Sequence, residues 1–103
     1  MAIAVDMARL RPAAEKAATL LRTLGNPDRL LLMCELSQGE LCVSELAERT
    51  GIVQPSLSQQ LCVLREHRLV RARREGKQVY YSIAGTQAPA VMKTLYGLYC
   101  GGR

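Results

Sequence analysis

Apolar residues recur along this chain first at helical and then at alternating spacing. Leu10, Ala14, Ala17, Ala18 and Leu21 fall at intervals of three and four, which predicts a helix from about Met7 to Leu24, closed by Gly25. Pro12 is tolerable in such a helix only within the first turn or so, because proline has no N–H to donate. Asn26-Pro27 is a start signal, an N-cap followed by a residue preset for the first turn. The helix it opens, Pro27 to Ser37, carries Leu30, Leu31, Leu32 and Met33 and is apolar nearly all round, so it should lie centrally; Gly39 ends it. Cys42 to Thr50 reads as a short helix with Leu46 and Ala47 inward, and Gly51 as a tight turn. A longer helix follows from about Gln54 to His67, with Leu57, Leu61 and Leu64 as its buried stripe and Pro55, Ser56, Ser58 and Gln59 on the opposite face. The period then changes to two. Leu69–Arg73 and Gln78–Ile83 predict strands joined around Glu75-Gly76-Lys77, and a last helix, about Pro89 to Tyr99, presents Val91, Leu95 and Leu98 on one side.

The expected fold is therefore mainly α with a β-hairpin wing. Two helices about a glycine turn, the second with a polar outer face, followed by a hairpin, is the order of a winged helix-turn-helix. At 103 residues, one domain spanning 1–103 is expected. The only aromatics are four tyrosines, so the core must be built of Leu, Val, Ile, Met and Ala. A small helical domain of this kind commonly completes its core by dimerising, since a short chain buries a modest share of its surface.

Charge sharpens the functional reading. The net charge is +5, and the stretch Arg49–Lys77, with seven basic residues against Glu66 and Glu75, holds the whole excess. A basic run is ordinarily a solvated face. Here it coincides with the second helix and the hairpin, which points to double-stranded DNA. The helix fits the major groove, where Ser and Gln hydrogen-bond base edges. Arg74 and Lys77, at the hairpin tip, are placed to neutralise phosphates. An enzyme is not expected: there is no glycine-rich phosphate loop, and the single histidine, His67, has no nucleophile motif beside it. A winged helix serving only as a protein-interaction module would favour an acidic or apolar face, unlike this one. No apolar run approaches the ~20 residues needed to cross a bilayer, and the start of the chain, with Asp6 early and no basic region ahead of an apolar stretch, does not read as a leader. Cytoplasmic location, no membrane partner and no cofactor are the expectations. Four cysteines in a reducing compartment do not imply a disulfide framework.

The stretches LRTLGNPDRLLLMCEL, GELCVSELAERTGI and QPSLSQQLCVLREHRLVRARREGKQVYYSI, within residues 20–83, resemble the ArsR/SmtB family of bacterial repressors. The resemblance implies a homodimer joined by the first and last helices, a palindromic operator, and release of DNA when an inducer binds. By position it makes Gln54, Ser56, Ser58 and Gln59 the groove-reading candidates, with Gln60 behind them. Metal-sensing members carry Asp and His pairs on the last helix, which this chain lacks, or a Cys-Val-Cys motif at the third helix, where this chain has Cys42-Val43-Ser44. No metal site is expected on the last helix, and His67 reads as a polar residue at a helix end. An arsenite or soft-metal response through Cys42 would need another cysteine, such as Cys62. The chain is more similar to the thiol-based, reactive-sulfur- and redox-sensing branch, with one cysteine on the second helix (Cys34) and one ending the last (Cys100). That resemblance implies a pair bridged by a disulfide or a sulfur chain when a small inorganic inducer, reactive sulfur or an oxidant, arrives. The plainer alternative makes Cys34 a small buried hydrophobe and Cys100 an incidental tail residue. Arg29, one turn before Cys34, is a candidate for lowering its pKa. Cys42 and Cys62 read as structural or incidental.

Overall fold

The computed structural model describes residues 6–100, so the first five residues, read above for a leader, lie outside it. Five helices and three strands follow in the order α1 (Met7–Leu24), α2 (Pro27–Leu36), β1 (Leu41–Cys42), α3 (Val43–Thr50), α4 (Ser56–Glu66), β2 (Val70–Glu75), β3 (Gln78–Ile83) and α5 (Gln87–Tyr99). This is the winged helix-turn-helix arrangement that the hydrophobic pattern predicts.

Caps account for the helix boundaries. The Asp6 carboxylate accepts from Ala8 N–H at 3.0 Å and the Asn26 side chain from Arg29 N–H at 3.1 Å, opening α1 and α2. At α3 the Glu45 carboxylate accepts from the Cys42 backbone N–H at 2.9 Å. Gly51, in the left-handed region at φ 74°, ends α3 with its N–H on the Ala47 carbonyl. The end of α4 is less ordinary. Arg68 takes φ 61° without being glycine, while Leu69 N–H reaches the Leu64 carbonyl and Arg68 N–H the Arg65 carbonyl. That pair of bonds is a Schellman closure, and half-buried Leu69 packs on the core beside it. It turns the chain from α4 directly into the wing.

The core lies around α2. Leu32, Met33 and Leu36 are buried there against Leu46 of α3 and Leu57, Leu61 and Leu64 of α4. α2 is central as expected, but not buried all round, since Leu31 and Cys34 are exposed. The sheet contains one strand more than the hairpin. Its order is β1-β3-β2, all antiparallel, with Leu41 opposite Tyr81 and Cys42 opposite Tyr80. β2 and β3 pair from Val70–Ile83 to Glu75–Gln78, leaving Gly76-Lys77 as a two-residue turn with φ 63° at the glycine. Arg74 therefore sits within β2, one pair back from the tip, and only Lys77 is in the turn.

The long helices place Pro12 further in than the first turn and leave much of their apolar surface outside the core. Pro12 lies in the second turn of α1, where the helix is exposed, so the hydrogen bond that a residue-12 N–H would have made is lost on the solvent side and not in the core. On α5 the buried residues are Ala88 and Met92, whereas Leu98 is exposed and Val91 and Leu95 are half-buried. Along α1 only Thr23 and Leu24 are buried, and Leu10 and Leu21 face outward. The chain's radius of gyration is 15.4 Å, against ~13 Å for a compact domain of this length, which fits helices that lie beyond the core. Among the described residues no helix is long and apolar enough to cross a membrane.

Candidate nucleic-acid interface and thiol pair

The helix-turn-helix is held rigidly at its corner. Thr50 Oγ1 donates to the Leu46 carbonyl at 2.7 Å and accepts from Ile52 N–H at 3.3 Å, and Ile52 is buried. With Leu57, Leu61 and Leu64 in the core, α4 turns Ser58, Gln59 and Cys62 to solvent, while Ser56 is half-buried in its first turn. Gln54 stands before the helix rather than in it. Its side-chain oxygen accepts from Ser58 N–H at 3.0 Å, taking the capping role that the side chain of Pro55 cannot fill. The Gln54 amide nitrogen keeps its donors. Gln60 points the other way and accepts from Arg29 Nη1 at 2.8 Å.

On the wing, Arg74 and Lys77 are exposed and take part in no ion pair among the described residues. Arg73 is engaged differently. It donates from Nε and Nη2 to the two Glu40 carboxylate oxygens, both at 2.8 Å, and from Nη1 to Glu75 at 2.6 Å. Its guanidinium carbon lies 4.8 Å from the centre of the Tyr80 ring. The bonds from Arg73 hold the Glu40 carboxyl below the usual carboxylate range, and those from Glu40 and Glu75 push the guanidinium still higher. This fork spans the sheet from β2 to the residue preceding β1, so one member of the basic block braces the wing.

The second candidate site lies between α2 and α5. Met33, Cys34, Ser37 and Gln38 on one side, and Pro89, Met92, Lys93 and Tyr96 on the other, line a groove of about 460 Å³. Cys100 caps α5, its N–H on the Tyr96 carbonyl at 2.8 Å, just beyond the stretch that gives Met92, Lys93 and Tyr96 to the groove. Both thiols are free and exposed. Partial desolvation against the groove wall pushes the Cys34 thiol up, and the neighbouring Cys100 thiol and Glu35 carboxylate push it further. Cys34 lines the groove, and Cys100 ends the helix that forms its other wall. Arg29 does not assist Cys34: its guanidinium is committed to Gln60 and the carbonyls of Thr23 and Arg22 at the end of α1. Nor is Cys34 a buried hydrophobe.

Cys42 is buried at the start of α3, with its sulfur 3.2 Å from Ser44 Oγ, and Cys62 is exposed on α4. His67 caps the end of α4. No cluster of three His, Cys, Asp or Glu side chains suited to a metal ion occurs among the described residues.

Residues 26–72 match the model of the bacterial regulatory protein, arsR family. The biofilm growth-associated repressor of Agrobacterium fabrum is 50% identical over 93 residues, which span 86% of this chain and 80% of that protein. Among solved structures, the transcriptional repressor BigR from Xylella fastidiosa superposes with a TM-score of 0.86 at 42% identity, covering 93% of this chain and 98% of that one. Reduced HlyU from Vibrio cholerae superposes at 0.84 with 37% identity, covering 89% and 97%. With a shared fold and this much identity along most of its length, the chain belongs to the arsR family of bacterial regulatory proteins, which are transcription regulators and not enzymes.

Proposed function

We propose that the chain is a dimeric repressor of a palindromic operator, released when Cys34 and Cys100 become bridged by reactive sulfur or an oxidant. The observation that carries the thiol reading is that Cys34 on α2 and Cys100 at the end of α5 are both free and exposed on two helices that pack against each other. Relatives named as repressors support the sense of regulation. Gln54, Ser56, Ser58 and Gln59 read the groove, and Arg74 and Lys77 hold the flanking backbone. The dimer buries the apolar faces left open on α1 and α5, where Leu21, Tyr96 and Leu98 are 59%, 60% and 68% exposed.

With a persulfide R–S–SH, whose proton stays on the outer sulfur throughout, the bridging chemistry balances in two steps. The Cys34 thiolate attacks the outer sulfur and expels the thiolate RS⁻, leaving a Cys34 persulfide. The Cys100 thiolate then attacks Cys34 Sγ and expels hydrosulfide as the disulfide forms. A bridge at this place ties α5 to α2 and shifts the spacing of two recognition helices across the dimer. The test is peptide mass spectrometry with operator binding after treatment with a persulfide donor. Bridged Cys34 and Cys100 peptides and weakened binding are expected. Cys34→Ser and Cys100→Ser bind DNA without responding, and Cys42→Ser and Cys62→Ser respond as the parent does. An arsenite response abolished by Cys42→Ser and indifferent to Cys100→Ser would replace this reading with the metalloid one. A sedimenting species of only 11.3 kDa would remove the dimer.

A further inference from the structure

Arg29 occupies an unusual position between three helices. It lies in the first turn of α2, half-buried, with Nε on the Thr23 carbonyl at 2.5 Å, Nη2 near the Arg22 carbonyl at 3.4 Å, and Nη1 on Gln60 Oε1 of α4 at 2.8 Å. The two carbonyls belong to the last turn of α1, which carries the negative end of the helix dipole; Gly25 N–H also reaches the Arg22 carbonyl at 3.2 Å, and Arg29 alone serves that of Thr23. The fork of one guanidinium thus closes α1 and grips α4 together. Lysine has no such fork.

The surroundings show why that grip matters. α1 and α4 are separated by a crevice of about 220 Å³ lined by Thr19, Arg22, Thr23, Arg29, Val63 and His67. α4 packs its leucines on α2, so apolar burial fixes its depth. Burial is non-directional, however, and resists sliding or rotation about the helix axis only weakly. A guanidinium bonded to both helices adds direction, with two groups on α1 and one on Gln60 of α4.

We infer that Arg29, through Gln60, is a positioning residue that sets the recognition helix relative to α1. The inference rests on the dimeric DNA-binding reading above. If α1 joins the subunits, the Arg29–Gln60 link is the route by which dimer geometry fixes the separation of two α4 helices. Its signature is selectivity for half-site spacing, which a merely stabilising contact would not move.

The experiment uses the full chain and a palindromic duplex that the parent selects from random-sequence DNA, alongside the same duplex with one base pair inserted at its centre. One base pair rotates a half-site by roughly 35° about the DNA axis, so the parent should lose roughly tenfold or more in affinity. Gln60→Leu, which removes the acceptor, should narrow that ratio to about threefold or less while remaining folded and dimeric. Gln60→Glu keeps an acceptor for Arg29 and should restore the parental ratio. Arg29→Lys should behave like Gln60→Leu. Parental discrimination in Gln60→Leu overturns the inference and leaves the DNA-binding reading intact. A parent that selects no palindrome, or tolerates every spacing, overturns both.

Discussion

Replacing Arg74 and Lys77 together by Ala removes two cations from the wing without touching the core. Each phosphate neutralised by a protein cation contributes about 0.9 to the slope of log affinity against log salt. Both side chains are exposed and unpaired among the described residues, so both are free to meet phosphate. The double variant should therefore lose about 1.8 from the slope. Between 50 and 200 mM salt, a fourfold range, that difference makes the parent's affinity fall about twelvefold further than the variant's. Arg73→Gln supplies the control. Its guanidinium is already spent on Glu40 and Glu75, so its removal should leave the slope as it is and act through the wing's rigidity. Fluorescence anisotropy of a labelled operator duplex at four or five salt concentrations measures all three slopes. An unchanged slope in the double variant, or an equal loss in Arg73→Gln, would refute the assignment of phosphate contacts.

Two further outcomes follow from the site and from the end of α4. Because desolvation and the Cys100 thiol push Cys34 up, alkylation of Cys34 by iodoacetamide should rise with pH to a midpoint above the ~8.5 of an ordinary cysteine. Cys100→Ser should lower that midpoint; a Cys34 midpoint at or below the ordinary value contradicts the arrangement. Arg68→Gly relieves a left-handed backbone position that costs a residue with a side chain about 1 kcal/mol, so thermal denaturation should show a stabilised protein, and a lowered melting temperature would count against the Schellman closure.

The helices were legible because each carries either a strong 3.6-residue pattern or an unambiguous cap. Asn26-Pro27 and Gly51 lie where their chemistry requires. Strand β1 was not legible: two residues have no period to detect, and Leu41 and Cys42 are strand only because Tyr81 and Tyr80 come to lie beside them. The same distance in sequence concealed the Arg73–Glu40 fork, leaving Arg73 looking like one more DNA-facing cation. The cap that Gln54 gives α4 and the bond that Gln60 accepts from Arg29 were hidden as well, because composition does not say which way an amide points. On α5 the sequence is apolar on several faces, and hydrophobicity alone does not tell the face that meets the chain's own core from the face left uncovered. The pairing of Cys34 with Cys100 came from family likeness rather than local pattern, since α2 and α5 meet only through the tertiary fold.

The two-residue turn at Gly76-Lys77 also constrains how this protein can change length. β3 is pinned at its middle by Leu41 and Cys42, so residues added nearer the turn extend the hairpin outward without disturbing the helices. One residue inserted into each strand, between Arg73 and Arg74 and between Val79 and Tyr80, lengthens the hairpin by about 3.4 Å and carries Arg74 to the opposite face of the sheet. Two inserted into each return Arg74 to its original face, about 7 Å further out. Growth of this wing is therefore quantised. Odd steps exchange the chemistry of its two faces, and even steps extend its reach while keeping the same cation turned the same way.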